Sequence, residues 1–191
     1  SLGRDRNLDI SAGRKFAGEL LKISELISQI LSTRSAVALL ARNYSEVRGL
    51  FFLGRKYGLP VAYEAALKTK EISYIHAEGY AAGELKHGSI ALIEPSFSSV
   101  VLAPKDSLYE KTLSAIEQIK ARGGRVIAVT TPDGAEAKRL ADAVIEIPDV
   151  SEMLLPLTAT IPLQLFAYEL SVVKGLDPDK PRNLAKSVTV E

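Results

Sequence analysis

Between residues 10 and 31 the apolar positions Phe16, Leu20, Ile23, Ile27 and Ile30 recur at spacings of three and four, the period of a helix with one buried stripe. A second, shorter helix is predicted over residues 35–43. The period then changes. Gly49-Leu-Phe-Phe-Leu-Gly54 is a short apolar run closed by glycine, and Gly58-Leu-Pro60 follows, where proline suits the first turn of a new helix. That helix is predicted over residues 60–75, with Val61, Ala65, Ala66 and Ile72 on its apolar side. Gly79-Tyr-Ala-Ala-Gly83 reads as a glycine-containing connection into a short turn at residues 84–87, ended by Gly88.

Further along, Ser99-Val-Val-Leu-Ala103 is predicted to be a buried strand, with Asp106 or Ser107 as the N-cap of a helix that reaches Arg122 and stops at Gly123-Gly124. Arg125-Val-Ile-Ala-Val-Thr130 is a strand, residues 135–141 a short helix, and Ala143-Val-Ile-Glu-Ile147 another strand. Ser151 is expected to cap a long apolar segment reaching Lys174, in which Pro156 and Pro162 predict a kink or break. Short apolar β-rich runs alternating with helices define an α/β chain whose parallel sheet is covered on both faces. Residues 177–191 are polar, carry two prolines and have no clear period; on their own they read as a frayed tail.

Composition narrows the chemistry. The 191 residues are 47% hydrophobic and 25% charged, proportions that suit one core needing no metal or disulfide to hold it. The absence of cysteine excludes disulfides, thiolate metal sites and a cysteine nucleophile, and with only His76 and His87 no metal or cofactor is expected. A net charge of +1 without a block of like charge gives no basis for a nucleic-acid or membrane-surface partner. No apolar stretch is expected to reach the ~18 to 20 residues of a membrane span, and the opening SLGRDRNLD lacks an apolar leader region. A cytoplasmic location is the expectation. Residue 1 is serine and the sole methionine is Met153, so the chain is read as either processed or cut from something longer.

Glu64, Lys68 and Glu71 fall at i, i+4 and i+7 of the third predicted helix. They stack along one side, with the carboxylates about 10.5 Å apart and the ammonium between them. This is an acid, base and cation in mutual support, or else a solvated face with one i, i+4 ion pair. Lys70 adjoins the set but points elsewhere. His87, in a turn pinned between glycines, is suited to moving a proton near neutral pH or to capping a turn; His76 has the same ambiguity. Two loops occupy places where phosphate often binds in α/β folds, Gly54-Arg-Lys-Tyr-Gly58 and Ala103-Pro-Lys-Asp-Ser107. Neither is a P-loop, and neither has clustered hydroxyls to cradle a phosphate.

Three stretches taken together go further: Glu64-Ala-Ala-Leu-Lys-Thr-Lys-Glu-Ile-Ser-Tyr-Ile-His-Ala-Glu78, Tyr80-Ala-Ala-Gly-Glu-Leu-Lys-His-Gly88 and Pro181-Arg-Asn-Leu-Ala-Lys-Ser-Val-Thr-Val-Glu191. In this order they resemble the C-terminal half of the glucosamine-6-phosphate synthase family, the isomerising glutamine–fructose-6-phosphate aminotransferases. The resemblance runs from Phe51 to the C-terminus, and Glu191 coincides with the family's usual last residue. It implies a sugar isomerase (SIS) fold, a flavodoxin-like five-stranded parallel sheet between helices, and the second of the two such lobes in the isomerase module. That module converts a fructose 6-phosphate imine to glucosamine 6-phosphate by moving a proton between C2 and C1. By motif position the resemblance implies Glu71 as the proton-transfer base, Lys68 as a cation for the developing oxyanion and Glu64 as a further active-site glutamate. It implies His87 as a ring opener contributed by a neighbouring subunit, hence a homodimer, and Lys186 as a Schiff-base lysine, with Ala185 and Lys186 at the substrate. The division that follows is a helical lead-in at 1–46, a SIS domain at 47–176 and a tail at 177–191 bearing the lysine.

The family's glutamine-hydrolysing step uses an N-terminal cysteine, which this chain lacks, and its Ser/Thr-rich phosphate loops belong mainly to the first lobe. The chain is therefore expected to hold much of a catalytic cluster without the main phosphate grip, and to be weak or inactive alone. A non-catalytic sugar-phosphate-binding module and a dimerisation core stand as alternatives.

Overall fold

A computed structural model describes residues 9–184 of the chain. Two helices lead in, α1 (Ile10–Ser32) and α2 (Arg34–Tyr44), followed by β1 (Gly49–Gly54), α3 (Gly58–Ser73) and β2 (His76–Ala81). After two 3₁₀ turns (Leu85–His87 and Ser89–Leu92) come β3 (Phe97–Leu102), α4 (Tyr109–Lys120), β4 (Val126–Thr130), α5 (Ala135–Leu140) and β5 (Ala143–Glu146). A last 3₁₀ turn (Glu152–Leu154) leads into α6 (Leu155–Val173).

The five strands form one parallel sheet in the order β2-β1-β3-β4-β5, with Gly49 of β1 opposite both His76 of β2 and Phe97 of β3. Strands β1, β3 and β4 are buried along their whole length, which is why they read as unbroken apolar runs. One face of the sheet packs under α2, α3 and α6, with Leu50, Phe52, Val100, Ile127, Leu163 and Phe166 among its core residues. The other packs under α4, α5 and the 3₁₀ segment, around Phe51, Leu53, Val101, Ile116 and Ala128. On the first face Arg34 Nε reaches the buried carboxylate of Glu169 at 2.6 Å and ties the start of α2 to α6.

Five expectations change. The stretch read as a connection at Gly79 is most of an edge strand, β2, whose half-exposed His-Ala-Glu-Gly-Tyr-Ala sequence lacks the apolar alternation that marks a strand. Asp106 does not cap α4 directly: Oδ1 accepts from Leu108 N at 2.9 Å, one turn early, while Ser107 faces Glu152. Ser151 heads the 3₁₀ turn and its hydroxyl caps nothing. Finally, α6 runs unbroken through Pro162. Pro156 lies in its first turn, where no N–H is required, and Pro162 is buried in the core, whose packing outweighs the lost hydrogen bond. Joined to its leading turn, this helix is long and apolar enough to cross a membrane, contrary to the expectation that no apolar stretch reaches that length. More than half of the apolar window is buried against the rest of the fold, as in a core helix.

Candidate functional site

Helix α3 sorts its residues into three stripes. Val61, Ala62, Ala65, Ala66, Thr69 and Ser73 are buried against the sheet and α6, while Tyr63, Leu67 and Lys70 face solvent. Glu64, Lys68 and Glu71 run along the border between them, half-buried. Lys68 Nζ donates to Glu71 Oε2 at 2.6 Å, with the two side chains 35% and 26% exposed. The pair is thus reachable from solvent yet only partly screened. The ion pair therefore forms at i, i+3 and not at the i, i+4 spacing of Glu64 and Lys68; Glu64 Oε1 instead lies 3.5 Å from Gln164 Nε2 of α6. The hydrogen bond to Glu71 holds the Lys68 ammonium above its usual range, against the opposing effect of partial burial, and the charges of Glu71 and Glu64 add to it. A carboxylate and a firmly protonated amine, side by side at a helix end, can take a proton from carbon and stabilise the oxyanion that results.

The chain leaves α3 through Tyr74, in the left-handed conformation at φ 57°. On this residue the start of the tail is docked: Arg182 N donates to the Tyr74 hydroxyl at 2.7 Å, and the Arg182 guanidinium sits 4.1 Å over its ring. Residues 181–184 are therefore held at the end of α3 that carries Glu71, and the tail is not frayed at its beginning. Ala185 and Lys186 lie outside the described residues.

His87 is not brought to this cluster. It ends an exposed 3₁₀ turn whose Leu85 is fully buried in the core under α4 and α5, whereas α3 packs on the opposite face. The sheet stands between them. His76, on the edge strand, has Nε2 3.3 Å from Glu78 Oε1, and the Tyr80 hydroxyl donates to Glu78 Oε2 at 2.5 Å. This hydrogen bond is the main reason the Tyr80 hydroxyl is pushed above its ordinary value. The two loops noted for phosphate do meet: Lys56 Nζ lies 2.5 Å from Ser107 Oγ, and both contact Glu152. No group of three or more His, Asp or Glu is arranged to hold a metal ion among the described residues.

Gln164, Arg182 and Glu152 were not legible as contacts from the sequence. Arg182 was at least inside the closing motif. Gln164 sits on a helix judged by its apolar run, and Glu152 was hidden by reading Ser151 as the cap.

A five-stranded sheet in this order with such a cluster on its first crossover helix is a recognised architecture, and the chain belongs to the SIS domain family, whose model matches residues 43–174. At the level of individual relatives it is 51% identical, over 190 residues and 99% of its length, to a glutamine--fructose-6-phosphate aminotransferase [isomerizing] of Thermus thermophilus. It is 50% identical over its full length to the protein so named in Leifsonia xyli. The chain spans only about a third, 32%, of either relative. Among solved structures it matches the C-terminal domain of glucosamine-fructose-6-phosphate aminotransferase from Francisella tularensis, with TM-score 0.83 and 38% identity, covering 89% of this chain and 48% of that one. A tagatose-6-phosphate ketose/aldose isomerase from Escherichia coli shares the fold, with TM-score 0.73 at 19% identity over 83% of this chain and 45% of that one.

Proposed function

We propose that this chain is the second SIS lobe of an isomerising glutamine–fructose-6-phosphate aminotransferase, acting on the open-chain sugar phosphate in the cytoplasm. The observation that carries the reading is the Lys68–Glu71 pair at 2.6 Å on the border of α3. Glu71 takes a proton from C1 of the protonated C2 imine; the C–H electron pair becomes a C1–C2 double bond, and the iminium π pair moves to nitrogen, leaving a neutral enamine. Return of the proton to C2, with loss of the proton on the C1 hydroxyl, yields the aldose. Lys68, held protonated chiefly by its hydrogen bond to Glu71 with the charge of Glu64 adding to it, opposes the negative charge that develops on the C1 oxygen.

Two further roles fit around this centre. Lys186 follows Arg182 by four residues, a reach of at most about 14 Å for extended chain, and Arg182 is docked beside the last turn of α3. That supports Lys186 as the amine that condenses with the ketose, next to Ala185 in the substrate contact. Because the sheet separates His87 from Glu71 within one chain, His87 serves as ring opener for the Glu71 of a second copy, in a homodimer. The domain division at 1–46, 47–176 and 177–191 belongs to the same reading, with the first lobe and the glutaminase supplied by the remainder of a longer protein.

The test is a chimera in which this chain replaces the matching third of the Thermus thermophilus relative. Glu71→Gln should slow deuterium exchange at C1 and C2 of the sugar phosphate by about 10²- to 10⁴-fold, the usual worth of a positioned general base, while binding is retained. Exchange at the parent rate would refute the assignment. Borohydride reduction with fructose 6-phosphate should leave an adduct on Lys186 in the same chimera, and a chimera in which Lys186 stays unmodified would remove its role.

A further inference from the structure

The crevice outside the carboxyl ends of β1 and β3 lies where the strand order reverses, the position at which open α/β sheets usually take ligands. Beside it, over the carboxyl ends of β3 and β4, opens a cavity of about 260 Å³ lined by Lys105, Asp106, Ser107, Thr131, Ser151 and Glu152 among others. The Glu152 carboxylate, on the cavity wall, bridges the loops that follow β1 and β3. One oxygen accepts from Ser107 N at 3.2 Å and from Ser107 Oγ at 3.1 Å; the other accepts from Lys56 Nζ at 2.8 Å. A backbone N–H, a hydroxyl and an ammonium, drawn from the two loops on either side of the crevice, are the donor set a phosphate oxygen would use. Ser151, on the same wall, donates its N–H to Glu19 Oε2 at 3.2 Å. Glu152 is held below the ordinary carboxylate range, first by the Lys56 hydrogen bond and then by the Ser107 N–H, so it remains an anion throughout the neutral range.

We propose that this crevice is a phosphate cradle filled by the chain's own carboxylate, and that Glu152 thereby bars phosphomonoesters from this lobe. Glu152 satisfies the donors, and its charge repels a dianion approaching them. Asp106 and Asp149, also on the wall, reinforce the repulsion, so an emptied cradle binds phosphate modestly. In a two-lobe module the consequence is directional: the sugar's phosphate is steered to the other lobe, leaving its reacting end for this one. That consequence rests on the proposed function, whereas the cradle itself does not.

The probe is inorganic phosphate, titrated into the isolated chain at constant ionic strength and followed by calorimetry. Glu152→Gln should bind phosphate at least about tenfold more tightly than the parent, the scale of removing one like charge within ~4 Å at the protein surface. The gain should vanish when Lys56→Ala is added, and Glu117→Gln, at the far end of α4, should produce none. Glu152→Ser serves in parallel should the amide disturb folding. In the parent, the Ser107 amide resonance should not move as phosphate is added. Folded Glu152 variants that bind no better than the parent, a gain that survives Lys56→Ala or appears with Glu117→Gln, or a Ser107 resonance that shifts saturably in the parent would each overturn the proposal. None of these outcomes depends on isomerase activity.

Discussion

Gly79 sits in the edge strand directly under α3, and replacing it with alanine tests how that helix is held. A Cβ at this position would lie 2.6 Å from Tyr63 Cδ1, 2.9 Å from Tyr63 Cα and 3.0 Å from Tyr63 N. The ring can swing aside, but the other two atoms belong to the helix backbone, so α3 itself has to lift from the sheet. Overpacking of this kind costs about 1–3 kcal/mol. Restricting the unfolded chain by Gly→Ala returns about 0.4–1 kcal/mol, leaving a net loss of about 1.3 kcal/mol at the midpoints of the two ranges. With an m-value near 2 kcal/mol/M, the urea midpoint should fall by roughly 0.5–1 M, read by circular dichroism. Gly18→Ala provides the matched control: it lies inside α1 with nothing within 4 Å of the added carbon, so it should raise stability by about 0.5–1 kcal/mol. A Gly79→Ala chain as stable as the parent, with m unchanged, would refute the claim that glycine at this position sets the seat of α3.

Two other substitutions test contacts that hold the carboxyl edge and the far side of the sheet. Thr130 Oγ1 donates to the Ala103 carbonyl at 2.6 Å in a fully buried setting, so the near-isosteric Thr130→Val should cost about 1–3 kcal/mol in denaturant titration, and a loss within error of zero would contradict it. At Asp142, burial pushes the carboxyl up, but the Lys120 ammonium at 2.6 Å and the Val126 N–H at 2.7 Å outweigh it and hold the group below its usual value. A depressed carboxyl stabilises the fold above the unfolded-chain pKa, about 4, and loses that contribution as pH falls from there through the folded value. Asp142→Asn should therefore be less stable than the parent at pH 7, with the gap closing below about pH 4; a gap independent of pH would exclude this linkage.

The unequal legibility of the elements has physical causes. β1, β3 and β4 are buried on both faces, so selection for burial alone writes them as apolar runs. β2 is an edge strand, and its residues answer to neighbours: His76 and Tyr80 both meet Glu78, and Gly79 makes room for Tyr63. Nothing in His-Ala-Glu-Gly-Tyr-Ala announces a strand. The two prolines of α6 illustrate the same divide, because a local rule predicts a break at Pro162 while a packed core keeps the helix whole.

The candidate cluster divides along similar lines. The order of helices and strands apart from β2, the stripe of Glu64, Lys68 and Glu71 and the closing motif are properties of spacing and residue type, which the sequence carries by itself. Tertiary structure showed which carboxylate Lys68 pairs with, Glu71, while Glu64 lies beside Gln164 of α6. It also placed His87 across the sheet from Glu71, seated Arg182 on Tyr74 and laid Glu152 over the crevice between the two loops. The contacts among them join residues 45 to 108 positions apart, and no local periodicity encodes them; they follow from which faces the folded layers bury.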